Sequence, residues 1–548
     1  MIHHYQLSEG HFSPSGSTPS WIGFAGLFSG ILGGLCFPPY DIWPLAWVAL
    51  VPLCFVLTTP RMTRQVWAGV YLGGLAYHLL ALDWLRTSYD ASGYSGPYLC
   101  GWLIAGQVGA LILLLTIAIG RRFTLSWRLP LCWALPIVWV SFEVVRQGTM
   151  AIVDGAGTPW FNLAVTQVNF SQIAQVADLG GAYAITFLVA AGNGLLFDLL
   201  QYVQRRGQSV RQATGSMAIV ALLLIAAFSY GSWRLNQTST KTGPVCALMG
   251  AGDLPPLLLK ERLVLRDGSF PDLLIWPELT YHHKMVDIVE GEMPSANNLP
   301  PDAAILTKDD AATYGRTVRR YLEDAAREFG AGMLIGCERL SLDGGKGHRF
   351  NSLAYADPTN GYQGCYDKRY LVPWSEFIPS DLGWLQVPGS RLYDPGTVAP
   401  LFQLTCSGDP AYQFGAAICY DVAFAEHFRH LIRQGPIDFV VLSGSENRDD
   451  TGSQSLTLLR MAQLRAIEIR RGIVRNVHRG HSAVIDSSGR LVWVSDREPI
   501  DQPLWLPPVP IDRRQSLYGR VGDWPAVGLI VLLTIGGMRK PLSVSDQF

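Results

Sequence analysis

Three reactive side chains stand directly after short apolar runs of β type. In QFGAAICYD (413–421), Cys419 closes a run that ends in Ile418. In DLLIWPEL (272–279), Pro277 stops the strand-like LLIW and Glu278 follows at once. In YDKRYLVPWSEFIP (366–379), Lys368 comes after FNSLAYAD (350–357) and its turn, and Glu376 lies further along the same stretch. A thiol that attacks a carbonyl needs a base for its proton, and a carboxylate held beside it serves. The attack creates an oxyanion, which a fixed cation and a backbone N–H stabilise. Glu278 therefore reads as the base, Cys419 as the nucleophile and Lys368 as the cation. The N–H of Tyr420 is the second donor, and Glu376 anchors Lys368 or positions the acyl group.

Each residue alone has an ordinary reading. Most strand cysteines are inert space-fillers. A glutamate after Trp-Pro suits the first turn of a helix. Lysines are usually exposed, and Glu376 can pair with Arg369 at the surface. Jointly, those readings would have to coincide in three strand-end motifs.

The elements that must hold this set belong to a chain of 548 residues, too long for one small core. Hydrophobic residues make up 49% and charged residues 16%, against about 25% charged in a soluble domain. With a mean hydropathy of +0.19 and 17 tryptophans, the chain reads as a membrane protein with a soluble part. A net charge of −1 gives no reason to expect a nucleic-acid partner. The nine cysteines form no CxxC pair and no Cys/His spacing, so no metal site and no cofactor are expected.

Apolar segments fall near 21–37, 42–58, 66–82, 97–120, 129–146, 181–203 and 216–233, with a last one at 524–537. The expected organisation is a tail (1–20), a seven-helix membrane domain (21–235), a soluble domain (240–519), a closing helix (520–537) and a cytoplasmic tail (538–548). No basic stretch precedes the first segment, which reads as a retained helix. Arginines gather in the loops at 59–65, 121–128 and 204–213, and Arg539 and Lys540 follow the last segment. With eight spans these all fall on one side, the cytoplasmic one, and the large domain lies outside.

IWPE, then Lys368 with LVPWSEF, then AICYD resembles the nitrilase (carbon–nitrogen hydrolase) superfamily. A domain of that kind set after seven membrane helices and before an eighth resembles the apolipoprotein N-acyltransferase family. FPPYDIWPLAWVALVPL (37–53), ALPIVWVSFEVVR (134–146), GTPWFNLAVTQ and IAQVADLGGAYAITFLV are similar to its helical segments. The resemblance implies a polytopic α-helical bundle with an inserted α/β αββα sandwich. It also implies a bacterial inner membrane, with the catalytic domain on the extracytoplasmic side. It assigns Glu278 as general base, Lys368 as oxyanion stabiliser, Cys419 as acyl-accepting nucleophile and Glu376 as a supporting glutamate. The implied partners are a phospholipid acyl donor and diacylglyceryl-modified apolipoproteins, joined through a Cys thioester. The segment 460–486 is expected to pack the sandwich and do no chemistry.

Three positions depart from the family pattern. Asp421 stands where the family more usually has Glu. The family's Asn-Asp-Ala-Trp-Phe-type loop is replaced by GSENRDDTGSQ (444–454), which has no aromatic residue. The first domain strand, PVCALMGAGDLPP (244–256), lacks the usual Gln-Gly-Asn ending. The alternatives are therefore an amidase or hydrolase that uses water, a divergent acyltransferase with another acceptor, and a non-catalytic membrane scaffold.

Further expectations concern the remaining polar and apolar features. Glu143 and Arg146 face one another near a helix end, and Asp198 lies inside the sixth span. Trp160 and Phe161 form an interfacial aromatic belt. LPPLLLKERLVL (254–265) and LGWLQVPG (382–389) are lids or dipping arms, or else a plain helix or core strand. Cysteines 246, 337, 365, 406 and 419 allow up to two disulfides in an oxidising compartment.

Overall fold

The computed structural model describes residues 19–59, 61–89, 95–154, 160–204, 211–237, 241–250, 270–281, 284–288, 308–343, 346–373, 375–377, 392–406, 411–446, 448–449, 451–496 and 503–538. The two apolar stretches at 254–265 and 382–389, both terminal tails and most of the loop after 204 lie outside those residues.

The helical part begins with α1 (Trp21–Gly34), α2 (Val51–Thr58), α3 (Arg64–Ala81) and the short α4 (Asp83–Thr87), which leads into strand β1 (Ser88–Tyr89). It continues with α5 (Gly96–Trp127), α6 (Leu131–Asp154), the single turns α7 (Leu163–Thr166) and α8 (Ser171–Ala174), α9 (Ala177–Gln204) and α10 (Arg211–Leu235). A last helix, Trp524–Met538, follows the mixed domain. Each apolar segment of the sequence falls on one of these elements. The 42–58 segment is divided into a 3-10 turn, Trp43–Trp47, and α2, with Pro44 and Pro52 in their first turns. Among the described residues, three helices are long and apolar enough to cross a membrane by length and composition, within Tyr98–Trp127, Ala177–Gln204 and Thr214–Leu235. Trp21–Gly34, Trp43–Thr58 and Trp524–Met538 are apolar but shorter.

Small residues let α1 and α3 approach backbone to backbone. A Cβ on Gly30 would stand 1.9 Å from the carbonyl oxygen of Gly73, and one on Gly69 would stand 1.7 Å from that of Gly23. A four-residue spacing of glycines thus sets this helix pair, as it does where lipid offers no hydrophobic drive for association.

The charged residues of the helices have partners other than those expected. Glu143 and Arg146 are both fully buried, yet they do not face one another. Glu143 accepts from the Leu163 N–H at 2.8 Å and from the Thr186 hydroxyl at 2.8 Å. Arg146 donates to the Asn162 side chain at 2.8 Å and lies over the Phe161 ring. Together they hold Phe161, Asn162 and Leu163, at the start of α7, inside the bundle. Asp198 caps the start of α6 by accepting the N–H groups of Leu131 and Cys132 at 3.1 and 2.9 Å.

The mixed domain opens with β2 (Lys241–Thr242), β3 (Cys246–Leu248), β4 (Leu273–Ile275), β5 (Met285–Ile288), β6 (Gly332–Asp343), β7 (Lys346–Asp357) and β8 (Gly361–Asp367). It continues with β9 (Phe402–Leu404), β10 (Tyr412–Ile418), β11 (Phe439–Ser445), β12 (Arg448–Asp449), β13 (Gly472–His478), β14 (Ala483–Ile485), β15 (Leu491–Val494), β16 (Leu504–Trp505) and β17 (Pro510–Ile511). One sheet has the order β16-β3-β4-β6-β7-β8, with β5 beside the far half of β6; the other has the order β15-β14-β13-β11-β10-β9. Alternation along the strands explains how these sheets stack. Leu248, Leu273, Ile275 and Leu334 point between the sheets, into one core with Phe414, Ala416, Ile418, Val440 and Leu442. Their neighbours Ala247, Leu274, Met333 and Ile335 point outward and pack with Leu322, Ala326 and Phe329 of the helix Lys308–Phe329. Helices Ala425–Gln434 and Ser453–Ile469 belong to the second sheet's side. The result is a nitrilase-like αββα sandwich.

The segment 460–486 was expected to serve only the sandwich, but it also docks the domain on the helices. Arg470 bonds Asp178 at 2.6 Å with both side chains fully buried, and Arg234 reaches the same carboxylate at 2.6 Å. Glu468 accepts the Ala182 N–H at 3.1 Å, and Arg460 pairs with Asp41. The GSENRDD segment is tied down as well, because β12 pairs antiparallel with β1. All nine cysteines are free thiols, so no disulfide forms between the five in the domain.

Candidate active site

The sequence places Glu278, Lys368 and Cys419 at strand ends, and the fold brings those ends together. Lys368 directly follows β8, and Glu376 lies in the connection beyond it. Cys419 leaves β10 and opens the 3-10 turn Cys419–Ala423. Its φ of 46° puts a non-glycine residue in the left-handed region, as does the φ of 50° at Leu279, next to Glu278. Conformations of this kind cost on the order of 1–3 kcal/mol each and persist only where the surroundings over-determine them. The surroundings here do so. Asp421 accepts the Ile418 N–H at 2.8 Å and the Tyr366 hydroxyl at 2.6 Å on one oxygen, and the Tyr370 N–H at 2.9 Å on the other. Tyr366 and Tyr370 flank Lys368, so one buried carboxylate binds the nucleophile turn to the lysine turn. The Glu278 turn rests on β6. A Cβ on Gly336 would stand 1.9 Å from the Pro277 carbonyl oxygen, so only glycine permits that approach.

Lys368 is 1% exposed. Its Nζ donates to Glu278 at 3.0 Å and to Glu376 at 2.9 Å. Glu376 therefore pairs with Lys368, not with Arg369 at the surface. Asn351 on β7 donates one amide group to both carboxylates, at 2.6 Å to Glu278 and 2.8 Å to Glu376. The second oxygen of Glu376 accepts the Val372 N–H at 2.8 Å, and that of Glu278 accepts the Ser445 N–H at 2.7 Å. The carbonyl of the same Ser445 lies 3.9 Å from the Cys419 sulfur. The end of β11 is thus the shared wall between base and thiol.

The electrostatics follow from burial of a charged cluster. Desolvation raises the Glu278 carboxyl above the ordinary glutamate value; Lys368 opposes the rise and Glu376 adds to it. Desolvation pulls Lys368 down, but the two carboxylates outweigh it and hold the ammonium well above the usual lysine range. The Cys419 thiol is pushed well up by desolvation and then by Glu278, with Lys368 opposing. At neutral pH the resting site therefore holds a neutral thiol and an ammonium, beside a Glu278 carboxyl whose affinity for a proton is raised. A thiol in this setting is not a preformed thiolate and would need a base to become a nucleophile.

Tyr420 has a structural partner that the sequence did not indicate. Its ring stacks on Trp160 at 5.5 Å between centroids, and Trp160 in turn packs against Trp84. Trp160 and Phe161 are buried, at 7% and 3% exposure, and so do not form an interfacial belt. They sit there because Glu143 and Arg146 hold the following residues Asn162 and Leu163 inside the bundle. The sequence reading also missed Asn351; its only signal was a lone amide in the otherwise apolar β run FNSLAYA. Among the described residues no cluster of His, Cys, Asp and Glu has metal-binding geometry.

A family model for carbon–nitrogen hydrolases matches residues 271–501, the stretch that carries the whole second sheet, all of the first but β3 and β16, and all four candidate residues. The mixed domain is therefore of the carbon–nitrogen hydrolase class, joined to a helical, apolar part. A second model, the apolipoprotein N-acyltransferase N-terminal domain, matches residues 29–195 of that part. Apolipoprotein N-acyltransferases of Rhodopirellula baltica and Geobacter metallireducens are 26% and 25% identical, over 94% of this chain and 96% and 95% of theirs. That of Caulobacter vibrioides is 27% identical over 86% of each. Among solved structures, a carbon–nitrogen hydrolase from Helicobacter pylori G27 superposes with a TM-score of 0.34 and 13% identity, over 48% of this chain and 88% of that one. Over nearly its whole length the chain is similar to apolipoprotein N-acyltransferases.

Proposed function

We propose that this chain is the N-acyltransferase of lipoprotein maturation. It moves a fatty acyl chain from a phospholipid, through a thioester on Cys419, to the α-amine of a diacylglyceryl-cysteine. Glu278 takes the thiol proton as the sulfur attacks the acyl ester carbon. Lys368 has three N–H groups, and with its two carboxylate partners engaged it retains one for the developing oxyanion. The N–H of Tyr420, at the start of the 3-10 turn, is the second donor. Collapse of the tetrahedral species breaks the C–O bond, and Glu278 returns its proton to the departing lysophospholipid oxygen. In the second half-reaction Glu278 takes a proton from the attacking amine, the C–S bond breaks, and the sulfur leaves and is reprotonated. Glu376 and Asn351 keep Lys368 and Glu278 in register throughout.

The observation that supports this most directly is the Lys368 ammonium gripped between two buried carboxylates, beside a thiol whose turn stacks on the helical part. Lipid tails bury about 0.8 kcal/mol per methylene and do not leave a bilayer for a soluble enzyme. A thiol set against the bundle meets the ester where the lipid lies. In this reading all eight apolar segments cross the bacterial inner membrane, and the domain at 240–519 faces the extracytoplasmic side.

The test is intact-mass analysis after incubation with phospholipid vesicles, with wild type beside Cys419→Ser. A hydroxylamine-sensitive acyl adduct on the wild type alone, discharged by a diacylglyceryl peptide as N-acyl product, is the expected result. Release of free fatty acid with no transfer to the peptide would replace the acyltransferase with a hydrolase.

A further inference from the structure

The parallel strands β10, β11 and β13 end at the reaction centre, and at their beginnings lies a cavity of about 730 Å³. β10 has seven residues, which at about 3.3 Å each puts this cavity roughly 20 Å from the Cys419 end. It is not the reaction chamber. Five arginines line it: Arg433, Arg471, Arg513, Arg514 and Arg520.

Carboxylates offset only part of that charge. Arg513 lies 3.2 Å from Asp438, Arg514 lies 2.6 Å from Asp512, and Arg433 lies 3.6 Å from Glu426. Arg471 instead donates to carbonyl oxygens, those of Ile437, Arg470 and Arg514. Arg520 donates to the neutral Gln515 amide. Arg471 sits below its usual range through desolvation first, with Asp512 and Asp438 opposing and Arg513 adding to the fall. Five arginines thus share three carboxylates, Glu426, Asp438 and Asp512, so the wall carries an excess of positive charge. The side chains of Arg513 and Arg433 are 71% and 45% exposed, so a solute can reach them.

The cavity's place in the chain says which level it occupies. Arg520 belongs to the turn of helix Leu517–Val521, and the apolar helix Trp524–Met538 begins four residues later with Trp524 exposed at 76%. On the membrane reading proposed above, this is where the closing helix enters the bilayer, beside the headgroup layer. Arginine forks match phosphate oxygens bidentately, with charge-assisted bonds.

We propose that this arginine-lined cavity is a phosphate-binding site, separate from the thiol, that takes the phosphate of an anionic lipid headgroup. The site would hold an anionic phospholipid against the foot of the closing helix, whether as a reserve of donor or as a fixed annular lipid.

The test uses the full-length chain in detergent, in a Cys419→Ser background so that no lipid is consumed. Retained dioleoylphosphatidylglycerol is counted by native mass spectrometry, with dioleoylphosphatidylcholine as the zwitterionic control. The expected result is retention about tenfold weaker in Arg513→Ala/Arg520→Ala than in its parent, a partial return in Arg513→Lys/Arg520→Lys, and no change for phosphatidylcholine. Added glycerol 3-phosphate separates the two sources of phosphate. Lipid that stays bound at tens of millimolar identifies a headgroup site, and lipid that is displaced identifies a site for free phosphate esters as well. Undiminished retention of phosphatidylglycerol by the double alanine variant overturns the proposal. Acyl transfer by the wild-type thiol is measured separately, so failure here leaves the catalytic reading standing.

Discussion

The chain buries charge in two places for different ends. At the catalytic centre, Glu278, Glu376 and Lys368 leave a surplus carboxylate beside a neutral thiol, and every partner comes from the mixed domain. At the junction, Asp178 of the helical part receives Arg470 of the domain and Arg234 of α10, which leaves a surplus of positive charge. Tyr230 and Gln175 complete that junction through hydrogen bonds to Asp178 and Arg470. One cluster is tuned to move a proton. The other is saturated with hydrogen bonds and holds two parts of the molecule together. Buried ion pairs give little net stability against an apolar equivalent, but breaking one leaves a charge without its counterion. Loss of a partner should therefore cost chemistry in the first cluster and stability in the second.

The largest effect is expected at the thiol. Cys419→Ser should lower acyl transfer by at least roughly a thousandfold with little change in melting midpoint, as measured by product formation and a thermal scan on the same sample. Lys368→Met should lower transfer as far, with a loss of stability as well because it strands two buried carboxylates. Asp178→Asn should do the reverse of Cys419→Ser. It leaves Arg470 and Arg234 buried against a neutral amide, at a cost of about 3–5 kcal/mol, while kcat per folded molecule stays near wild type. A variant at Asp178 that kept its stability and lost its rate would erase the distinction.

How far each cluster can be read from the sequence follows the same divide. Glu278, Lys368, Glu376 and Cys419 are legible because each is attached to a local pattern, an apolar run stopped by a turn. The αββα layers are legible only through the resemblance those motifs carry, not from the runs themselves. The junction is not legible, because Asp178 and Arg470 lie 292 residues apart and nothing local distinguishes them. Arg470 sits in RAIEIRRG, which reads equally well as an ordinary helix end. Glu143 and Arg146 misled in the opposite way. Their helical spacing suggested a pair, whereas the bundle spends both on the incoming segment at 162–163. Trp160 was misread for the same reason, since its burial depends on that capture.

The pH dependence sharpens the description of the first cluster. In the proposed mechanism Glu278 acts as a base only when ionised, and burial raises its carboxyl above the ordinary value. As pH falls, protonation removes the base, so the acid limb of kcat/KM should turn down at a higher pH than an ordinary glutamate would give. Glu376 contributes to that rise. In Glu376→Gln the acid limb should therefore move to lower pH, even as the rate falls from looser anchoring of Lys368. A limb that stays put would mean that Glu278 is not the titrating base.

The smallest effect probes the one place where the two regions meet at the nucleophile. The Trp160–Tyr420 stack joins the helical part to the residue after Cys419. Stacks of this kind are worth about 0.5–1.5 kcal/mol beyond area burial. If the stack holds the 3-10 turn so that the Tyr420 N–H faces the oxyanion, Trp160→Ala should lower kcat by about two- to tenfold. It should leave KM for the phospholipid little changed, and Trp160→Phe should restore most of the loss. A purely structural contact would instead lower the melting midpoint of both variants and leave kcat of the folded fraction alone. That split between kcat and stability decides whether the helical part only anchors the domain or also sets the geometry of its thiol.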